Sequence, residues 1–313
     1  MGRVDEAMRR AAEARQPISP DAGDAAGGPT VGWPAAPAPV EAFSSEGAER
    51  PRPRPVTTVP EILPSRPPAS GAPSSPVGER IAADLANKIV VDSGMDAGSR
   101  EQYRRMAATL HALQAESGLR VITVASAMPG EGKTLTAANL ALTLSESYQR
   151  KVLLIDGDLR KPSQHAVFGL PVSPGLTEGV VGTDAALSLH RVSPTLTVIT
   201  AGEPTDDPMV TLAAERMQAL ITEAREQFDW IVIDTPPVGL LPDAGLISGL
   251  ADGTVVVVRA DATQYDFVQR SIAELGRERI LGVVLNLATP PTDVRYGANY
   301  GRYAERTSPP GPR

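Results

Sequence analysis

The sequence predicts an α/β domain: a mostly parallel central sheet flanked by helices, with a disordered N-terminal extension and a flexible C-terminal tail. Three observations carry this expectation. Continuously apolar, β-branched runs alternate with helical stretches from residue 120 onward, the pattern of strands buried on both faces of a parallel sheet. One of those runs leads through a glycine turn into GKT at a helix start. Composition changes sharply before residue 81, where 15 of the chain's 30 prolines fall between Pro17 and Pro76.

In chain order, residues 1–16 place Val4, Met8, Ala11 and Ala12 on one face of a short amphipathic helix. Isolated helices of this length are marginal in water, so this one is either a frayed end or a docking helix that folds on a partner. Residues 17–80 are rich in Pro, Ala, Gly, Ser and Arg and bury too little apolar surface to offset ordering entropy. They read as a disordered tether with an end-to-end distance of roughly 40–45 Å. The folded domain is assigned to 81–290. Its first strong helix is Ser99 to Glu116, with Ser99 and Gln102 as a capping box, an apolar stripe of Tyr103, Met106, Leu110 and Leu113, and Gly118 as the stop.

Val121 to Val124 form the next strand, followed by Met128, Pro129, Gly130, Glu131, Gly132, Lys133, Thr134 and Leu135. Glycines let the main chain approach an anion closely, and successive N–H groups and the positive end of the helix then face it. In such a phosphate cradle Lys133 reaches the β- and γ-phosphates and the Thr134 hydroxyl binds Mg²⁺. Ala127 stands where the usual first glycine would be. The chain is therefore expected to bind a nucleoside triphosphate with Mg²⁺.

The second signature is KVLLIDGDLRKP, a buried strand that ends in Asp156, Asp158 and Arg160; ligands of open α/β sheets sit at strand carboxyl ends. Arg160 has two open readings: it steadies phosphates, or it pairs with an acidic neighbour. A strand follows at Thr195 to Thr200, then a long amphipathic helix from about Pro208 with Leu212, Met217, Leu220 and Ile221 inward. The third signature, FDWIVIDTPPVG, ends its strand at Asp234, opposite the cradle, where a carboxylate can hold the hydration shell of Mg²⁺. Strands at 253–259 and 280–287 complete the sheet, with a helix between them on Val268, Ile272 and Leu275. Asn286 is either an adenine contact or a strand-end cap. Residues 291–313 form a tail carrying Tyr296, Tyr300 and Tyr303, half of the chain's 6 tyrosines.

A net charge of −7 argues against nucleic acid as a partner. The chain has no cysteine, which suits the cytoplasm, and its three histidines lack ligand spacing. No apolar run approaches the ~20 residues needed to span a bilayer, so a membrane location is expected to come through a partner.

Together, SAMPGEGKT, LLIDGDLRKP and IVIDTPPVG resemble the cytoplasmic ATPase module of bacterial tyrosine autokinases that serve capsule and exopolysaccharide export. The likeness covers about residues 85 to 303. It implies a P-loop NTPase of the deviant-Walker type, with Walker functions on Lys133 and Thr134, on Asp156 and Asp158, and on Asp234. It implies autophosphorylation of the tail tyrosines in trans within an oligomer, a membrane co-polymerase as activator, a phosphotyrosine phosphatase, and residence at the inner face of the membrane. Asp158 and Asp234 would hold metal waters, and Asp156 would orient the acceptor hydroxyl late in the reaction. Asp near 3.9 and Tyr near 10 differ by ~6 units, about 8 kcal/mol against early proton removal. The family's E-x-x-R-x-x-R helix is met at Glu101 and Arg104, but Ala107 replaces the last arginine.

Two other readings fit the same motifs: a partition or Min-type ATPase that acts as a nucleotide-switched dimer, and a nucleotide-binding scaffold of an export complex. The first carries a second lysine where this chain has Met128.

Overall fold

The computed structural model describes residues 63, 81, 83–91, 94–181, 187–213, 215–240 and 243–288. The expected helix at 1–16, nearly all of the expected tether, and the tail with Tyr296, Tyr300 and Tyr303 lie outside the described residues. Leu63 is an exception within the tether: it is fully buried, and its N–H donates to Glu223 Oε2 at 2.7 Å.

A 3-10 turn at Ala83–Lys88 leads to helix α1, Ala97–Ser117. The cap lies three residues before the expected one: the Ser99 N–H donates to Asp96 Oδ1, so Asp96 rather than Ser99 is the cap. Gly118 closes it at φ 72, a conformation that favours glycine. Strand β1 is Val121–Ser126 and helix α2 is Lys133–Leu142. On α2, Thr136 to Leu142 are all buried. The helix is wedged between the sheet and its helical neighbours, so its small residues are used on every side.

Strand β2, Val152–Asp156, precedes the short helices α3 (Gln164–Phe168) and α4 (Leu176–Val181). Strands β3 (His190–Arg191) and β4 (Leu196–Ile199) follow. The expected long helix from Pro208 is two, α5 (Pro208–Leu212) and α6 (Glu215–Gln227). Strand β5 is Trp230–Asp234, α7 is Asp243–Gly249, β6 is Gly253–Arg259, α8 is Tyr265–Leu275, and β7 is Ile280–Asn286. Leu287 adopts φ 55 and turns the chain out of β7 one residue earlier than expected.

The sheet order is β3-β4-β2-β5-β1-β6-β7, parallel throughout except for the antiparallel edge strand β3. β1, β2 and β5 are buried along their whole length. Ile122, Val124, Leu154 and Val232 pack on one face with α1 and α2. Leu153, Ile155, Ile231 and Ile233 pack on the other with α6 and α7. The alternation follows from a pleat of period two. This packing brings the carboxyl ends of β1, β2 and β5 together in the middle of the sheet. Among the described residues no helix is long and apolar enough to cross a membrane.

Candidate functional site

Between β1 and α2 the chain turns through Gly130 (φ 79) and Gly132 (φ 92), both in the left-handed region. A side chain at Gly132 would also collide with the Asn286 amide, so only glycine fits. α2 therefore starts at Lys133 with its first N–H groups turned to the mouth of the loop, the arrangement that receives phosphate.

Lys133 is largely buried, and its Nζ lies 3.0 Å from Asp158 Oδ2. Burial opposes its charge, but Asp234 and Asp158 outweigh that, and its pKa is raised. Asp158 Oδ1 also accepts the Lys161 N–H at 3.1 Å, which closes the turn after β2. Gly157 sits so close to β5 that a Cβ there would lie 2.7 Å from the Asp234 carbonyl oxygen. That contact explains the glycine between the two aspartates.

Asp156 is fully buried. Its Oδ2 accepts the N–H groups of Ser163 and Gln164, each at 2.9 Å, and its Oδ1 accepts the Asp158 N–H at 3.3 Å. Burial, then the neighbouring charge of Asp234, pushes its pKa up to about 7. Both Asp156 oxygens thus accept main-chain N–H groups of the turn that follows β2.

Asp234 is also fully buried, and burial raises its pKa against the pull of Lys133. Gln164, which the sequence gave no reason to single out, donates from Nε2 to Asp234 Oδ2 and to the Thr134 carbonyl, both at 3.1 Å. Among the described residues no donor meets Asp234 Oδ1 in hydrogen-bond geometry. The Thr134 hydroxyl lies 3.1 Å from Ser163 Oγ. A buried carboxylate oxygen placed so, beside a hydroxyl and an anion loop, suits a hydrated cation. Among the described residues no three His, Asp or Glu side chains form a closed metal cage. Mg²⁺ does not need one, since it keeps several waters and takes phosphate oxygens with one or two carboxylates.

Arg160 pairs with an acidic neighbour. Its Nε pairs with Asp243 Oδ2 at 2.7 Å and its Nη1 donates to the Asp206 carbonyl at 2.7 Å; the pair raises its pKa further. Asn286 caps its strand end, its Oδ1 accepting the Leu287 N–H at 2.9 Å, and its Nδ2 donates to the Glu131 carbonyl at 2.8 Å. The Met128 N–H is taken by Glu131 Oε2 at 2.7 Å.

A family model described as ParA, NUBPL iron-transfer P-loop NTPase, matches residues 119–293, more than half of the chain. The tyrosine-protein kinase YwqD of Bacillus subtilis is 33% identical over 190 residues, 59% of this chain and 80% of YwqD. The chain belongs to the bacterial tyrosine-protein kinases, within the ParA-type P-loop NTPases. Tyrosine-protein kinase CpsD of Streptococcus pneumoniae serotype 4 is 37% identical over 175 residues, 54% of this chain and 76% of CpsD. Among solved structures, the chimerical protein CapA2B2 aligns with a TM-score of 0.60 at 28% identity, covering 65% of this chain and 91% of its own. The kinase domain of the Escherichia coli tyrosine kinase ETK aligns at 0.59 and 27% identity, covering 68% and 85%. As a member of this family the chain is a kinase-type enzyme that binds nucleotide with a divalent metal.

Proposed function

We propose that this protein is an ATP-dependent tyrosine autokinase. Its acceptors are Tyr296, Tyr300 and Tyr303 of a neighbouring copy, and its phosphorylation state tunes capsule or exopolysaccharide polymerisation and export. The observation that supports this best is the convergence of Lys133, Thr134, Asp158 and Asp234 on one glycine loop at the carboxyl ends of three adjacent strands, with one Asp234 oxygen met by no donor among the described residues. The names of the relatives supply tyrosine as the acceptor class.

Mg–ATP, when bound, supplies the transferable phosphoryl group and a divalent charge. The loop N–H groups and Lys133 hold the phosphates and neutralise charge that spreads over the γ-phosphoryl oxygens. Thr134 holds the cation, and Asp158 and Asp234 hold its waters. Asp156 acts through others: it fixes the turn that carries Asp158. Because phosphoryl transfer passes through a loose transition state, the tyrosine hydroxyl needs little negative charge and loses its proton late.

A membrane co-polymerase is the proposed activator, in line with the chimerical make-up of the structural neighbour CapA2B2, and it would hold the enzyme at the inner face of the membrane. A phosphotyrosine phosphatase would reset the tail. The iron-transfer role in the family model's description is not carried over, because iron–sulfur clusters are held by cysteine thiolates and these 313 residues contain none. The test is incubation with ATP and Mg²⁺ followed by mass spectrometry of the tail. Phosphate on the three tyrosines in wild type and not in Lys133→Met is the expected result. Equal phosphorylation in both would refute the proposal.

A further inference from the structure

An anion-binding loop that carries its own carboxylate poses an electrostatic problem. A free negative charge a few ångströms from a triphosphate would repel it. Glu131 is that carboxylate, yet it is only 2% exposed and points away from the mouth of the loop into protein donors. Its Oε2 accepts the Met128 N–H at 2.7 Å, within the loop. Its Oε1 accepts the Arg259 N–H at 3.3 Å and the Thr263 hydroxyl, both beyond the end of β6. Its carbonyl accepts Asn286 Nδ2 at 2.8 Å, from the end of β7. One residue is thus tied to three places, two of them 128 or more positions away in sequence. Asn286 also occupies the space beside Gly132 that any side chain there would need.

We infer that Glu131 is a brace and that Thr263 and Asn286 are positioning residues acting through it. Together they hold the glycine loop in its phosphate-receiving shape before nucleotide arrives. The ordering cost of the loop is then met in folding and not at binding, which is how preorganisation raises affinity. The inference rests on the reading of this loop as the triphosphate site, and is independent of which residue accepts the phosphoryl group.

The experiment measures Mg–ADP affinity of the full chain by calorimetry, together with KM for ATP and kcat. Thr263→Val removes one hydroxyl outside the loop and is expected to weaken Mg–ADP about 3- to 10-fold; Glu131→Ala is expected to weaken it about 10-fold or more. Glu131→Gln should fall between wild type and Glu131→Ala, since its carbonyl can still accept from Met128 and the Thr263 hydroxyl can turn to accept, while the Arg259 N–H loses its acceptor. Asn286→Ala should raise KM while leaving kcat at saturating ATP within about 3-fold. The decisive result is non-additivity: Thr263→Val should cost little more once Glu131 is already Ala.

Should Glu131→Ala fail to fold, Thr263→Val and Asn286→Ala still decide the matter. Affinities within about 2-fold of wild type in both, or full additivity of Thr263→Val on Glu131→Ala, would overturn the inference. Lys133→Met separates the two levels. If it binds Mg–ADP as wild type does, the reading of the loop itself fails. If it loses binding while Thr263→Val and Asn286→Ala do not weaken it, only the brace fails.

Discussion

Asp156 and Asp234 are register partners at the carboxyl ends of two neighbouring parallel strands, β2 and β5. Adjacent partners in a parallel pair project to the same face, so two buried carboxylates share one small region beside Lys133. Both are pushed above the usual carboxylate range, Asp156 to about 7, by burial first. A folded-state value above the unfolded one means the native protein holds a proton that the unfolded chain releases. That stability is fully present below about pH 4 and is lost as pH rises through about 7. Without nucleotide or divalent cation, thermal denaturation should therefore show stability falling between about pH 4 and 7, by on the order of 4 kcal/mol. Asp156→Asn should flatten the trend, and saturating Mg–ADP should flatten it too, because a nearby cation favours the ionised pair. A wild-type profile flat across that window without ligand would contradict the account.

Arg160 and Asp243 form an unequal pair: Asp243 is 1% exposed on its side chain and Arg160 is 28% exposed. Removing the arginine strands a buried carboxylate; removing the carboxylate leaves an arginine that water can still reach. The first loss should be the larger. Arg160→Ala is expected to lower the urea midpoint clearly more than Asp243→Asn does. Arg160→Ala in the Asp243→Asn background should cost clearly less than it does alone. Equal single losses that simply add would show that the pair is not coupled.

How much of this was legible in the sequence follows from range. The strands of the three signatures, the glycine turn, Lys133 and the three aspartates could be placed because each depends on neighbours within a dozen residues. Helix α1 was found but its cap was misplaced, since Ser99 and Gln102 satisfy the pattern while Asp96 holds the first free N–H. The inward burial of α2 was missed because periodicity sees one stripe and not the packing around it. Glu131, Gln164 and Asp243 could not be assigned partners, because each is joined to residues 30 to 155 positions away. No local pattern encodes such contacts.

Ala107 stands where the resemblance would have an arginine, and the structure gives the position a physical character. It is fully buried within the cluster that includes Leu110 and Ile122. Glu101, Arg104 and Arg105 on the same helix form exposed ion pairs at 3.9 and 3.5 Å. Ala107→Arg would complete the sequence pattern but force a charge and a long side chain into packed space. It is expected to destabilise by about 3 kcal/mol or more, read as a drop in the urea midpoint. A variant as stable as wild type would show that α1 can rotate to expose this position.

Asp252 tests whether the two ends of the sheet can be separated. It lies just before β6, at the end of the strands opposite the glycine loop. Its Oδ2 accepts the N–H groups of Arg120 and Val121 at 2.7 and 2.8 Å, which start β1. Arg225 grips both its oxygens at 2.6 and 3.0 Å. Burial raises its pKa, but Arg225 and the two main-chain donors more than reverse this and hold it below the usual range. A depressed carboxylate contributes stability that is present above about pH 4 and lost as pH falls through its folded value. Asp252→Ala should cost about 2–3 kcal/mol at pH 7 and progressively less as pH falls below 4. Six residues of β1 place this site roughly 20 Å from the loop that holds Lys133. The variant should therefore bind Mg–ADP with wild-type affinity at temperatures where it remains folded. A matching loss of affinity would mean that strand β1 transmits strain along its length, and that the phosphate loop depends on how the strand begins as well as on how it ends.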